Sequence, residues 1–259
     1  MKNAGTTAAL SRGQEAQFTA DAKRCLSLLK QAASAYSGGK NKRHHQLAAE
    51  ALKLARRMHE LASGGGEADE QLIATSDKML LSALKALGLS YWSEETAEGN
   101  ELSLPLLVEA QEILERASEP DYYELYEVYE ALCQLYVATK QVTRYEEICR
   151  KALALKEKEV GQWDAGLVSF LIDLGWALEE QGKFTESASI KRDAYKLSLN
   201  HKGEAHPETI SLKHGVAYTT FLSEGMSQFD AVQKALDTLT PDEKKKFQSN
   251  VAAELESLR

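Results

Sequence analysis

Long apolar runs, proline and cysteine are all scarce in this sequence of 259 residues. No stretch reaches the roughly 18 apolar residues that a membrane-spanning helix needs, and the first residues lack the apolar segment of a secretory signal. With four prolines and 27% charged residues, collagen-like and disordered classes fit poorly. We therefore expect a soluble, cytoplasmic protein that does not insert into a membrane.

The three cysteines, Cys25, Cys133 and Cys149, include no close pair such as CxxC. An odd number of well-separated cysteines is typical of a reducing compartment, where thiols stay free. Free cysteine behaves as a small apolar side chain and is commonly buried. We expect these thiols to lie in the core.

Motifs for catalysis and metal binding are missing as well. The six histidines form no HExxH, and His44-His45 and His201-His206 lack partners at metal-ligand spacing. Gly64-Gly65-Gly66 is not followed by a phosphate-loop lysine, and no nucleophile elbow occurs. We interpret His206 as a turn residue. We expect no catalytic residue, no metal site and no cofactor, although carboxylates that meet only in the folded chain keep an enzyme or ligand sensor as an alternative.

The net charge of -8 argues against nucleic acid as a partner, since nucleic-acid binding needs a basic surface. The charge is unevenly distributed. Six basic residues and one acidic residue lie between Lys40 and Arg57, whereas twelve acidic residues and one basic residue lie between Glu94 and Glu130. This asymmetry either orients a partner or another copy of the chain, as in a homo-oligomer, or belongs to solvated helix faces.

Apolar residues at helical spacing make up most of the chain. From Gln14 to Tyr36 they recur every three or four positions, which is typical of one helix face. Glycines and polar segments interrupt the pattern, including a polar loop from Ser93 to Asn100. The pattern predicts a flexible leader at residues 1–13 and one domain at residues 14–258. The predicted helical hairpins span residues 14–62, 70–118, 121–158, 164–200 and 206–238.

The C-terminal segment begins with Thr240-Pro241-Asp242-Glu243, which combines a capping box with proline in the first helical turn. It predicts a helix over residues 241–258. The apolar face of that helix would carry Phe247, Val251, Leu255 and Leu258. A single amphipathic helix after a series of hairpins is the expected cover for the exposed end of a repeat array.

A period of 42 residues relates the later hairpins to one another. Leucine or valine recurs at this interval, at Leu132, Leu174 and Val216. The residue after each is small: Cys133, Gly175 and Ala217. A repeated small residue lets the two helices of a hairpin approach closely, so the period predicts stacked helical repeats.

Two hairpins carry a recognisable motif. In the second hairpin its residues are Leu84, Leu87, Gly88 and Tyr91, then Ala110, Leu114 and Ala117; in the fourth they are Leu171, Leu174, Gly175 and Ala194. With these residues the chain resembles tetratricopeptide repeat (TPR) proteins, and its long period is similar to the repeats of kinesin light chains. The resemblance implies an all-α fold, a right-handed α-solenoid (superhelix) of about five antiparallel helix hairpins plus a C-terminal capping helix. Tyr145, Ser187 and Lys191 depart from the motif.

The resemblance also implies a partner-binding groove, because the first helix of each hairpin lines the inner wall in this repeat class. The phase of each helix assigns to this wall Lys85, Leu89, Trp92, Glu127, Glu130, Gln134, Ile172, Trp176, Glu179, His214, Tyr218 and Phe221. Its aromatic residues would offer apolar anchors, and its glutamates favour a basic partner. The alternative is that these aromatic residues belong to the repeat core or lie beneath the C-terminal helix.

The expected function is therefore that of a non-catalytic protein–protein interaction scaffold or adaptor, which binds a peptide or helix of a partner in the groove. The carboxylate clamp of chaperone-binding TPR proteins is not expected, because Leu89, Gln134 and Trp176 stand where that clamp has asparagine. The main alternative is a structural or self-assembling subunit of a larger complex.

Overall fold

The computed structural model describes residues 10–64, 69–117 and 121–257, with side chains described as far as residue 249. Over these residues the chain forms eleven α-helices and one short 3-10 helix, without a strand. The α-helices are α1 (Arg12–Ser37), α2 (Asn41–Ser63), α3 (Glu70–Trp92), α4 (Ala97–Arg116), α5 (Tyr122–Ala138), α6 (Val142–Val160), α7 (Val168–Glu180), α8 (Phe184–Lys202), α9 (Pro207–Ser223), α10 (Gln228–Asp237) and α11 (Pro241–Ser257). The 3-10 helix, Ala165–Leu167, directly precedes α7.

The helices form two compact units, which we call unit 1 (residues 1–139) and unit 2 (residues 140–259). In unit 1, each of the helices α1 to α4 packs against the next one along the chain. In unit 2, each of the helices α6 to α9 packs against the next one, and α11 packs on α9. The prediction of an all-α fold built from consecutive helix pairs is confirmed. The prediction that residues 14–258 form one domain stays a prediction.

The ends of the predicted elements fall partly outside the described residues. The predicted leader, residues 1–13, lies outside them up to residue 9, and α1 begins at Arg12. Gly65 and Gly66 also lie outside them, as do the side chains of Val251 and Leu255 and the whole of Leu258. No helix of the described part of the chain is long and apolar enough to cross a membrane.

Capping side chains fix where several helices begin. At α11, the Glu243 carboxylate accepts a hydrogen bond from the Thr240 backbone N–H at 2.7 Å, and the Thr240 hydroxyl accepts one from the Glu243 N–H at 3.3 Å. This reciprocal pair confirms the predicted capping box. At α9, the Nδ1 atom of His206 accepts a hydrogen bond from the Glu208 N–H at 3.3 Å, so His206 is a helix cap.

The predicted polar loop from Ser93 to Asn100 is shorter than expected. Helix α4 already begins at Ala97, because the Thr96 hydroxyl caps it by accepting a hydrogen bond from the Gly99 N–H at 2.9 Å. Pro105 consequently lies inside α4 and not near its start. The sequence signal failed here because threonine caps and polar loop residues look alike until the helix is in place.

Two glycines end equivalent helices of unit 2. Gly161 follows α6 and Gly203 follows α8, each with a φ of +84°, in the left-handed region that favours glycine. The separation of these two positions is the 42-residue period of the sequence. Each repeat therefore turns toward its next helix with the same backbone conformation.

The small residues of the motif lie at close helix crossings. A Cβ atom on Gly88 would lie 2.8 Å from the Leu107 side chain of α4, and one on Gly175 would lie 2.9 Å from the Lys191 side chain of α8. The same glycines accept a recurring hydrogen bond. The Ser103 hydroxyl donates to the Gly88 carbonyl at 2.8 Å, and the Ser187 hydroxyl donates to the Gly175 carbonyl at 2.7 Å.

The third member of the 42-residue series differs from the other two. Leu132 and Leu174 are fully buried, whereas Val216 is only half-buried. The fully buried residue in this part of α9 is Thr219, one turn further along. In the core of unit 2, Leu212 packs with a cluster of apolar residues from α7, α8 and the 3-10 helix.

Cys25, Cys133 and Cys149 form no disulfide bond. Cys25 and Cys149 are buried, as expected, and Cys133 is half-buried. The Cys25 thiol donates to the Ala51 carbonyl at 3.5 Å, and burial, with the charge of Asp21, raises its pKa to about 11. Such a thiol stays protonated and unreactive at neutral pH.

Candidate functional site

Unit 1 contains an open pocket of about 590 Å³ formed by the inner faces of α1, α3 and α5, with one residue from α2. Five residues that the sequence assigned to the groove line it: Lys85, Leu89, Trp92, Glu127 and Glu130. The pocket is within the size range of ligand-binding sites in proteins. Gln134, also assigned to the groove, is exposed on α5 outside this pocket.

One wall of the pocket comes from α1, which the sequence interpretation had not assigned to the site. Leu29, Ala33 and Tyr36 of α1 face Leu89 and Trp92 of α3. These residues belong to the apolar face recognised in the sequence, and Tyr36 is 47% exposed. An aromatic side chain left open at the end of an apolar helix face was the available signal.

The opposite side of the pocket is charged. The Lys85 ammonium lies 2.6 Å from the Glu127 carboxylate and 3.7 Å from that of Glu124. The Lys85 side chain is 14% exposed, whereas those of Glu127 and Glu124 are 44% and 38% exposed. Glu130, which is exposed, lines the same pocket and adds a further carboxylate. The rim is therefore acidic, and the floor between the helices is apolar.

His44 fixes the wall between α1 and α3. The imidazole is buried, and its Nδ1 and Nε2 atoms lie 2.9 Å from the carbonyl oxygens of Ala32 and Ala86 respectively. The Tyr36 ring packs on the imidazole with a centroid distance of 5.2 Å, and the Tyr36 hydroxyl donates to Ser93 at 3.4 Å. A single side chain of α2 thus bridges both helices that form the apolar wall.

His45 contacts α3 next to the same wall. Its Nε2 atom lies 2.9 Å from the hydroxyl of Ser90, a residue that lines the pocket, and its ring packs on Tyr91 at 4.5 Å. Burial lowers the pKa of His45, the Glu94 carboxylate opposes this, and His44 adds to it. His45 therefore presents a neutral imidazole to Ser90 at neutral pH.

In unit 2, two of the assigned residues are exposed. Ile172 is 36% exposed and Trp176 is 38% exposed, both on α7. The Trp176 ring is not free on all sides, because its edge packs on the Tyr145 ring of α6 at a centroid distance of 5.5 Å and an angle of 72°. Trp176 therefore contributes to packing with one edge and to the surface with the rest.

Glu179 of unit 2 is paired inside the protein. Its carboxylate lies 2.6 Å from the Lys191 ammonium, and both side chains are largely buried, 15% and 13% exposed. The Thr219 hydroxyl donates to Glu179 and accepts a hydrogen bond from Lys191 at 3.3 Å. The methylene groups of Lys191 pack on Gly175, so this lysine occupies the place of the expected large apolar residue by burying its stem.

Two of the remaining assigned residues of unit 2, His214 and Phe221, contact α11 and α10 respectively. The His214 ring lies 4.6 Å from the Phe247 ring of α11 and is nearly parallel to the Tyr218 ring at 6.4 Å. The Phe221 ring lies beneath the Lys234 ammonium of α10 at 4.5 Å. Burial raises the pKa of Tyr218, and the Glu179 charge adds to this. His214 and Phe221 are thus occupied by neighbouring helices.

The described residues offer no group of three or more histidine, cysteine or carboxylate side chains placed to hold a metal ion. The described geometry presents surfaces for contact, namely the pocket of unit 1 and the exposed side of Trp176 in unit 2. What these surfaces can do chemically is to receive apolar side chains and, at the acidic rim, cationic ones.

No protein-family model matches the chain, and no curated protein matches it. Two crystal structures of the nearly identical TPR-like repeats of a putative kinesin light chain from Podosopora anserina are similar to it, both at 14% sequence identity and a TM-score of 0.57. The match covers 90% of this chain and 98% of the other in one case, and 89% and 97% in the second. BtubC (BKLC) from P. vanneervenii matches at 15% identity with a TM-score of 0.47, over 81% of this chain and 74% of that one.

At this level of identity the likeness concerns the fold. Three observations indicate the same fold. They are the consecutive helix pairs, the glycines at the helix crossings and the match over nine-tenths of the chain. The chain therefore has the TPR-like helical-repeat fold of the α-solenoid class, of the kind found in the kinesin light chain-like repeats.

Proposed function

We propose that the chain is a non-catalytic scaffold or adaptor whose unit 1 pocket receives an apolar side chain from a peptide or short helix of a protein partner. The observation that carries this proposal is the open pocket between α1, α3 and α5, in which Tyr36, Leu89 and Trp92 are accessible together. Clustered aromatic and aliphatic side chains in a concave site are the usual anchors of a protein interface.

The acidic rim supports a basic partner. Glu127 and Glu124 share the single charge of Lys85, and Glu130 is exposed beside them, so the rim keeps an excess of negative charge. A lysine or arginine next to the apolar anchor of the partner would meet this excess. We therefore restrict the proposed binding site to the groove residues of unit 1 and treat Trp176 of unit 2 as a separate contact. A cytoplasmic location stays a prediction from the sequence.

A peptide-display selection tests the proposal without a known partner. Random 12-residue peptides are selected on the full chain, and the binding of the enriched peptides is then measured on Leu89→Asp and on Trp92→Ala. We expect enriched peptides with an aromatic or aliphatic residue beside a basic one, and a loss of binding of about tenfold or more on both variants. The control is Tyr123→Ala, because Tyr123 is an aromatic side chain of α5 that is 81% exposed and does not line the pocket.

Thermal unfolding of each variant separates a lost contact from a lost fold. Peptides that bind the wild type and both pocket variants equally would contradict the proposal. Light scattering tests the alternative of a self-assembling subunit. A particle mass well above 28.6 kDa that Trp92→Ala reduces would show that a second copy fills the pocket.

A further inference from the structure

Described side chains in the first half of α11 hold this helix on α9 and on the turn that precedes α9. The Phe247 ring packs on the His214 ring at 4.6 Å, and the Glu243 carboxylate lies 2.8 Å from the Lys213 ammonium. The Lys246 ammonium donates to the Ala205 carbonyl at 3.3 Å. His214 is the residue on which the aromatic contact between the two helices depends.

The surroundings of His214 suit a neutral ring. One ring nitrogen hydrogen-bonds to the backbone of Val232 in α10, and the other, Nε2, is buried without a hydrogen-bond partner among the described residues. Phe247 and Tyr218 flank the ring. A proton added at Nε2 would create a buried N–H group and a positive charge with no acceptor.

We propose that α11 docks on the neutral form of His214 and is released from α9 when this imidazole is protonated. Release would uncover the side of α9 that carries His214 and Lys213 while the hairpins of unit 2 stay packed. Because its Nε2 atom is buried without a partner among the described residues, His214 is the point at which a change of pH acts on the docking of α11.

The electrostatics give the same direction. Burial lowers the pKa of His214, the hydrogen bond to Val232 opposes this, and the Lys191 charge adds to it. Because the pKa is lower in the docked state than the ordinary value of 6.5, docking is fully favoured above that pH and weakens as the pH falls below it.

Other charged or titratable groups lie near His214. They are Tyr218 and Lys213 of α9, Lys191 of α8 with its partner Glu179 of α7, and Glu243 of α11. Hydrogen bonds from Lys213 and the Thr240 backbone lower the pKa of Glu243, although burial of its side chain opposes them. Glu243 therefore keeps its charge and its ion pair with Lys213 at pH 5.5 and above.

Hydrogen exchange measured by mass spectrometry on the full chain tests the proposal at pH 7.5 and pH 5.5. After correction for the intrinsic pH dependence of exchange, we expect protection of the amides of residues 245–249 to fall about threefold or more at pH 5.5, relative to α7 and α8. In His214→Phe, which keeps an aromatic ring and removes the titrating group, protection should be the same at both pH values.

Two histidine variants serve as controls. His206→Asn keeps a good helix cap, and His201→Gln changes a ring that contacts the Trp163 carbonyl away from α11. Both should keep the pH-dependent loss of protection. A wild-type chain whose α11 protection does not change with pH, or a His206→Asn chain that loses the change, would overturn the proposal.

A second measurement covers the case in which His214→Phe does not dock α11 at all. The titration of the His214 ring is followed by NMR in the wild type and in Phe247→Ala. By linkage, removal of the covering ring must raise the His214 titration midpoint if docking and protonation exclude each other. An unchanged midpoint would reject the proposal whatever the exchange data show.

Discussion

Units 1 and 2 present residues from the same repeat positions, but those of unit 1 line one pocket, whereas several of those of unit 2 are covered by neighbouring helices. In unit 1, Lys85 and Trp92 line an open pocket with half-exposed glutamates at its rim. In unit 2, Glu179 is paired with Lys191, and His214 is covered by Phe247. The same helical phase thus gives a pocket in unit 1, whereas in unit 2 Ile172 and Trp176 stay exposed while Glu179 and His214 have partners inside the protein.

The difference shows that repeat position sets the direction of a side chain but not its availability. Availability depends on what the next helices supply. In unit 2, α8 supplies Lys191, α10 supplies Lys234 and α11 supplies Phe247, each opposite an assigned residue. In unit 1, α5 supplies glutamates whose side chains stay largely hydrated.

The largest expected effect comes from removing one lysine charge in each unit. Lys191→Met should lower the free energy of unfolding by about 2–3 kcal/mol, because Glu179 would keep a charge in a site that is only 15% exposed. Lys85→Met should cost less than about 1 kcal/mol, because Glu127 is 44% exposed and stays hydrated. Urea denaturation of both variants measures the difference.

The control for this comparison is the double variant Lys191→Met with Glu179→Gln. It removes the uncompensated charge and should recover about half of the lost stability. Equal losses of unfolding free energy in the two single variants would contradict the contrast between a buried ion pair in unit 2 and a hydrated ion pair in unit 1.

The next largest expected effect is on how the stability of unit 2 depends on pH. The Glu146 side chain is 10% exposed and accepts hydrogen bonds from Arg150, Gln181 and Lys183 at 2.7–2.9 Å. Burial opposes ionisation of this carboxyl group, but the three donors outweigh it and lower its pKa to about 2. A carboxylate with a lowered pKa stabilises the fold above its ordinary pKa of 4.5, and this contribution is lost as the pH falls toward 2.

Glu146→Gln isolates that contribution. At pH 7 the variant should be less stable than the wild type by about 2 kcal/mol, and the difference should narrow as the pH falls from about 5 to 2. In a Trp92→Phe background the remaining tryptophans, Trp163 and Trp176, both lie in unit 2, so fluorescence follows that unit. A stability difference that stays constant between about pH 5 and pH 2 would show that these hydrogen bonds do not stabilise the charged form of Glu146.

The sequence was sufficient for the fold because the decisive signals are local. Gly88 and Gly175 at the helix crossings, the capping box at Thr240 and the glycines that end α6 and α8 each act within one turn or one hairpin. Such features recur with the repeat, so a period in the sequence predicts them together. The extent of α4 was missed because its capping residue, Thr96, resembles a loop residue.

The candidate site was less predictable because its walls come from distant segments. Tyr36 and Trp92 are far apart in the chain, and α1 lacks the repeat motif that assigned the other residues to the groove. Lys191 was recognised only as a departure from the motif. Its pairing with Glu179 depends on the three-dimensional approach of α7 and α8, which motif spacing does not encode. Side-chain pairing between helices is therefore visible only in the three-dimensional structure.

The smallest expected effect tests the feature that the two units share. Ser103→Ala and Ser187→Ala each remove a hydroxyl that donates to a glycine carbonyl at a helix crossing. Loss of one buried hydrogen bond costs about 1 kcal/mol, and the better helix propensity of alanine returns about half of it, so we expect a net loss of about 0.5 kcal/mol in each variant. Equal losses of unfolding free energy in urea denaturation would show that this hydrogen bond stabilises the hairpin crossing equally in unit 1 and unit 2. The contrast between the two units would then lie in their charged side chains. A loss larger by about 1 kcal/mol in one variant would instead place the contrast in the crossings themselves.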